Sequence, residues 1–193
     1  MSLPLTRDEV WQLVLKYNSD KSDLNHYLES EAVCRALASR VGEDPEYFAI
    51  AGLIHDIDWG MTKDNPKEHL TKAPDILREA GFDEEFIELI LSHGYGFDCA
   101  GLLDRERTKK RQYILAAGET ITGLIHSLAL MRPEKLEGMS AKSVRKKFKD
   151  KRFAAAISRE VIKEVEHLDL ELNEFFEIAI GAIKKIKNDV DLG

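Results

Sequence analysis

The sequence predicts an all-α bundle of about 8 or more helices with no significant sheet, on three observations. Apolar residues recur at three- and four-residue spacing over most of the chain. Residues that start and stop helices punctuate that pattern: Thr6, Asp44, Asp83 and Ser140 stand before apolar runs, and Gly42 and Gly94 after them. Strand-like alternation is nearly absent.

Taken in order, Thr6-Arg7-Asp8-Glu9 is a capping box, and Val10, Trp11, Val14 and Leu15 follow at helical spacing. A second helix is expected over residues 22–41, stopped by Gly42. Asp44-Pro45 opens a third, with a side-chain cap and then proline where its missing N–H costs nothing. Tyr47, Phe48, Ala49, Ile50, Ala51, Leu53 and Ile54 make this helix apolar on every side, so it is expected to be buried. Asn65-Pro66 begins a shorter helical region that Pro74 breaks or restarts before Gly81. Asp83 caps Phe86, Ile87, Leu89, Ile90 and Leu91, ending at His93-Gly94. Residues 94–104 read as a loop, and a long helix follows over residues 108–130, closed by Arg132-Pro133. Ser140 caps another helix. From Phe153 the chain reads as amphipathic helix with a break near Leu168.

A length of 193 residues suits one core, and nothing in the composition marks a second domain. Residues 20–132 are expected to form the functional core and residues 133–193 a helical extension packed on it. The net charge of -7 argues against nucleic acid as a partner. No apolar run approaches the roughly 20 residues of a membrane span, and no secretory leader is visible, so a cytoplasmic protein is expected. The opening Met1-Ser2-Leu3 has the look of an expression scar. Cys34 and Cys99 stand outside any C-x-x-C and read as buried thiols.

Three ionisable features fall where the pattern expects apolar residues. His55-Asp56 ends the buried third helix, and a carboxylate delivered there must be paired or metal-bound. Glu119 is the one formally charged residue between Tyr113 and Met131, flanked by Gly118 and Gly123. His26 shares the inward stripe of its helix with Ser30, Val33 and Leu37. Each alone has an ordinary explanation: a satisfied core histidine, a paired aspartate, a protonated glutamate. Together they offer two imidazoles and two carboxylates, a mixed nitrogen and oxygen set suited to Mn, Fe, Co, Ni or Zn.

The order His26, then His55-Asp56, then a distant acid resembles the H…HD…D signature of the HD-domain metal-dependent phosphohydrolases. Ala51-Gly52-Leu53-Ile54-His55-Asp56-Ile57-Asp58 is similar to that family's central motif. Glu119-Thr120-Ile121-Thr122-Gly123-Leu124-Ile125 is similar to its last ligand helix in a bacterial subgroup, as is the later stretch from Lys142 to Ala155. The resemblance implies an HD-domain helical bundle with His26, His55, Asp56 and Glu119 holding a divalent cation, Mg included. Glu119 departs from the usual aspartate and reaches further by about one C–C bond, roughly 1.5 Å. His69 and His93 stand where some subfamilies place ligands to a second ion and others place contacts to phosphate. One ion is therefore expected, or two.

The resemblance further implies a small phosphorylated substrate, a nucleotide among the classes, hydrolysed by metal-activated water. Asp56 would serve in catalysis, and Asp58 would position the water or merely end a helix. Arg145 and Lys146, in a basic run that is by default a solvated surface, are candidates for steering substrate to the cleft. The alternative is a degenerate HD module that binds a nucleotide or metal without turnover, as sensor or scaffold. Assembly into an oligomer fits either reading.

Overall fold

In the computed structural model, which describes residues 3–193, the capping box at Thr6 starts the first helix. The Glu9 carboxylate accepts the Thr6 N–H at 2.8 Å, and the Thr6 hydroxyl oxygen accepts from the backbone N–H of Glu9. Met1 and Ser2 of the suspected scar lie outside the described residues. From there the chain runs α1 (Arg7–Tyr17), α2 (Lys21–Arg40), α3 (Pro45–Ile54) and the short α4 (Trp59–Thr62). A 3-10 turn (Pro66–Glu68) leads to α5 (Ala73–Glu79), α6 (Glu84–Ser92) and the long α7 (Lys110–Leu130). The remainder forms α8 (Ala141–Lys149), α9 (Arg159–Lys163), a 3-10 turn (Glu164–Leu168) and α10 (Leu172–Lys185). The described residues contain no strand.

The caps read from the sequence operate: Asp44 accepts from Glu46 and Tyr47 N–H, and Asp83 from Phe86 N–H. Gly42, at φ +75°, ends α2 in the left-handed conformation that favours glycine.

Helix α2 is the hub, packed against α3, α7 and α10. Two glycines set how closely. A Cβ on Gly52 would lie 2.5 Å from the Ser30 carbonyl oxygen, and one on Gly118 would lie 2.7 Å from Cys34 Sγ. With hydrogen in those places, α3 and α7 ride directly on α2, which brings His55 and Glu119 to the level of His26. The same contiguous core takes in Phe148 of α8 and Phe175, Phe176 and Ile183 of α10, all buried. Helix α7 is long and apolar enough by composition to cross a membrane, yet most of it is covered by the bundle.

The helix expected from Phe153 begins instead at Arg159, capped by Ser158. The Arg159 guanidinium explains the delay. It donates to the carbonyls of Phe148, Phe153, Ala154 and Ile157, so the segment before it closes into turns, with Ala154 at φ +44°.

Candidate metal centre

His55 and Asp56 leave the C-terminal end of α3 in a tight turn that Asn18 pins from behind. The buried Asn18 amide donates to the Ile57 carbonyl at 3.0 Å. Its oxygen accepts from Gly60 N–H at 2.8 Å and from the Tyr27 hydroxyl at 3.0 Å. The turn therefore presents Asp56 toward α2 and toward the loops carrying His69 and His93.

Four imidazoles surround this carboxylate in two pairs. Nε2 of His26 and Nε2 of His55 lie 3.1 Å apart, at 3.9 and 3.4 Å from Asp56 Oδ2. Nε2 of His69 and Nε2 of His93 lie 3.2 Å apart, at 3.2 and 3.1 Å from Asp56 Oδ1. Two donor groups result, His26-His55-Asp56 and Asp56-His69-His93, with Asp56 common to both.

The partner of each Nδ1 fixes which nitrogen faces inward. His55 donates from Nδ1 to the Gly52 carbonyl at 2.8 Å, His93 to Ile90 at 2.7 Å, and His69 to the Asp58 carboxylate at 3.1 Å. The Thr122 hydroxyl gives its proton to the Glu119 carbonyl at 2.7 Å, so its oxygen is left to accept from His26 Nδ1 at 2.9 Å. Every Nδ1 is thus a donor, and in each neutral ring the Nε2 lone pair points at the centre. Lone pairs facing one another at hydrogen-bond distance repel unless a proton or a cation stands between them. This donor set, four imidazole nitrogens around a shared carboxylate, fits divalent transition metals.

Burial, with the neighbouring His26 and His93, pushes the His55 imidazole down to about 3, keeping it a neutral donor against the pull of Asp56. Burial alone would raise the Asp56 carboxyl; His55 and His69, with hydrogen bonds from His69 and His93, hold it well below the usual carboxylate range. For His69 burial works downward too, yet Asp56 and Asp58 together lift the ring to about 10. A cation at its Nε2 competes with a proton for that lone pair.

Other residues singled out in the sequence fall differently. Asp58 does not reach the cleft. It is fully buried, its oxygens accepting from Leu70, Lys72 and Ala73 N–H as well as from His69, so it orients the His69 ring rather than facing the cleft. Glu119 lines the cleft beside His26, its Oε2 4.0 Å from that Nε2, but belongs to neither donor group. Burial pushes its carboxyl up to about 8, although the hydroxyl of Thr120 bonds its other oxygen. Arg145 lies outside the cleft in a separate groove, and Lys146 borders neither. Docking of Val144 and Phe148 on the core turns that face of α8 away.

Sequence reading missed three supporting residues. Thr122 fixes the His26 ring. Asn18 pins the turn. Arg107, buried before α7, donates to the carbonyls of Ser92, His93 and Tyr95 and pairs with Glu164 at 2.5 and 2.8 Å, tethering the His93 loop to the 3-10 turn after α9. The Thr122 hydroxyl, one turn after Glu119 on an inward face, was the one available signal.

The cleft over the centre measures about 340 Å³, and Trp59 and Phe97 stand in its lining beside Asp56. Phe97 is among the exposed large apolar residues.

Comparison with known proteins supplies the context. The profile of the HD domain matches residues 23–186. The chain is 27% identical over 188 residues to Ribonuclease Y of Thermotoga petrophila and to that of Thermotoga maritima, covering 92% of this chain and 34% of each relative. Ribonuclease Y of Acetivibrio thermocellus is 27% identical over 177 residues, 87% of this chain and 31% of its own. The chain therefore spans about a third of the length of these curated relatives. No solved structure is significantly similar.

Proposed function

From the premise that this chain belongs to the HD-domain family, we propose that it is a metal-dependent phosphohydrolase of a small phosphoester, a nucleotide being the favoured class. One observation carries the reading: four Nε2 lone pairs, each fixed by its own Nδ1 hydrogen bond, converge on the two oxygens of Asp56. His26 and His55 with Asp56 would hold one divalent cation, and His69 and His93 with Asp56 a second. Bound there, such ions supply neutralisation of phosphoryl charge and activation of water.

The chain's own groups do the positioning. Asp56 spans both donor groups and so sets their separation, while Asp58, Thr122 and the carbonyls of Gly52 and Ile90 hold the rings. Trp59 and Phe97 offer aromatic faces to a nucleobase at the mouth. The volume of about 340 Å³ suits a single nucleotide. The ribonuclease relatives make an RNA phosphodiester the second substrate to try, since it presents the same phosphoryl oxygens.

A second reading, a binding module without turnover, draws on Glu119, which stands outside both donor groups. Turnover separates the two. Protein purified without chelator should carry bound metal and hydrolyse at least one member of a panel of phosphomonoesters, nucleotides, cyclic nucleotides and short RNA with Mn, Co, Ni or Mg. Asp56→Ala should abolish bound metal and hydrolysis while helical content persists. Metal binding with no turnover on any substrate favours the binding module; a metal-replete, active Asp56→Ala variant refutes both.

A further inference from the structure

The eight cations of residues 145–163 face only two acids, Asp150 and Glu160, a local net of +6. With -7 for the whole chain, the rest carries -13, so the positive charge is concentrated on one segment. Folding gathers part of it around a groove of about 380 Å³ between α8, α9 and the start of α10. Arg145, Lys149, Lys151 and Arg159 line it, over an apolar floor of Phe148 and Leu172.

Many cations elsewhere on the surface are paired with a carboxylate, and those that are not, such as Lys16, Lys72 and Lys109, do not line this groove. Arg7, Arg35, Arg40, Arg78, Arg105 and Lys67 all meet a carboxylate within 4.0 Å. In the groove only Lys163 does so, through Glu160. Among the described residues no ion pair reaches Arg145, Lys149, Lys151 or Arg159. Arg159 is the sharpest case: its guanidinium is spent on four backbone carbonyls, which satisfy its hydrogens but leave its charge without a counterion. Partial burial lowers its pKa, with Asp150 opposing from a distance.

We infer that this groove is a second binding site, distinct from the metal centre, for a phosphate-rich anion. Four uncompensated cations around one concavity suit several adjacent phosphates better than a single carboxylate; the Arg145 guanidinium can bind phosphate oxygens in pairs, while Arg159, its hydrogens committed to carbonyls, adds charge. The floor of Phe148 and Leu172 accepts the apolar part of a sugar or base. The polyphosphate of a nucleotide and the backbone of a single strand share this chemistry. The groove abuts the cleft along the chain, since Ile157 and Ser158 line the one and Arg159 the other.

Binding to the 193-residue chain in excess EDTA tests the site with the metal centre silenced, using ATP and a labelled single-stranded RNA of about ten nucleotides as probes. At least one should bind, with an affinity that falls as salt rises. Arg145→Glu with Lys149→Glu should weaken it about tenfold or more, because two phosphate contacts become repulsions. Lys184→Glu with Lys185→Glu, the same charge change on α10, should leave it within about twofold. ATP binding identifies a small polyphosphate as the source, and RNA binding alone a strand. No binding of either probe at low salt, or equal weakening by the two double variants, overturns the site.

Discussion

Oδ1 of Asp58 lies 3.1 Å from Nδ1 of His69, and the same carboxylate accepts three backbone N–H groups from the strained turn around Leu70, whose φ is +67°. One buried side chain thus fixes both the loop that delivers His69 and the orientation of its ring. Asp58→Asn keeps one acceptor oxygen but replaces the other with a donor, so the His69 ring loses its lock or the loop loses its anchors. Metal affinity at the His69-His93 group should fall about 10- to 100-fold, the usual cost of removing an outer hydrogen-bond partner. Chelator competition followed by metal analysis should show one ion lost before the other. Unchanged affinity for both would exclude Asp58 as an orienting group.

That division of labour was only half visible in the sequence. The helices were legible because caps at Thr6, Asp44 and Asp83 and glycines such as Gly42 act locally. His26, His55 and Asp56 announced themselves as polar groups on otherwise apolar faces. The role of Asp58 was not legible, because its partners at residues 69–73 come from a turn with no periodicity to read. Arg107 and Asn18 were hidden for the same reason: a side chain that bonds backbone carbonyls or amides far along the chain leaves no pattern. The delayed start of α9 belongs here too, since only the fold shows where the Arg159 guanidinium reaches.

Arg107 makes a prediction of its own. Its guanidinium serves three carbonyls on the His93 loop and the Glu164 carboxylate together, a geometry that a single ammonium cannot reproduce. Arg107→Lys should keep the charge yet loosen the loop, lowering metal affinity at the His69-His93 group while His26-His55 retains its ion. Stoichiometry read by titration should drop toward one. Equal loss at both groups would instead indicate general destabilisation.

Gly52 offers a test of the close approach between α2 and α3. A methyl there would meet the Ser30 carbonyl oxygen at 2.5 Å, and backbone cannot swing aside as a side-chain end can. Gly52→Ala should cost about 1–3 kcal/mol of stability through overpacking. The Gly52 carbonyl also holds His55 Nδ1, so metal affinity should fall with it. Thermal melting with and without chelator separates the two effects: a variant as stable as the parent in both conditions would show that the helices have slack.

A second buried pair lies away from the centre. His126 of α7 meets Glu29 of α2 at 2.6 Å, with Glu29 almost wholly buried and Asp191 of the C-terminal tail adding its charge. The hydrogen bond to Glu29 raises the His126 pKa above its ordinary value of about 6.5, outweighing burial. A raised pKa means the pair's stabilisation is fully present below about 6.5 and is lost as pH climbs through the higher folded-state value. His126→Gln should therefore destabilise most in mildly acidic solution, by about 1–2 kcal/mol, below the range for a fully buried pair because the ring is 24% exposed. The gap in melting temperature between parent and variant should narrow as pH rises from mildly acidic to alkaline. A constant gap would show that folding leaves the His126 pKa where it was, and a widening one that folding favours the neutral ring; either outcome would overturn the pairing with Glu29 as the source of stability.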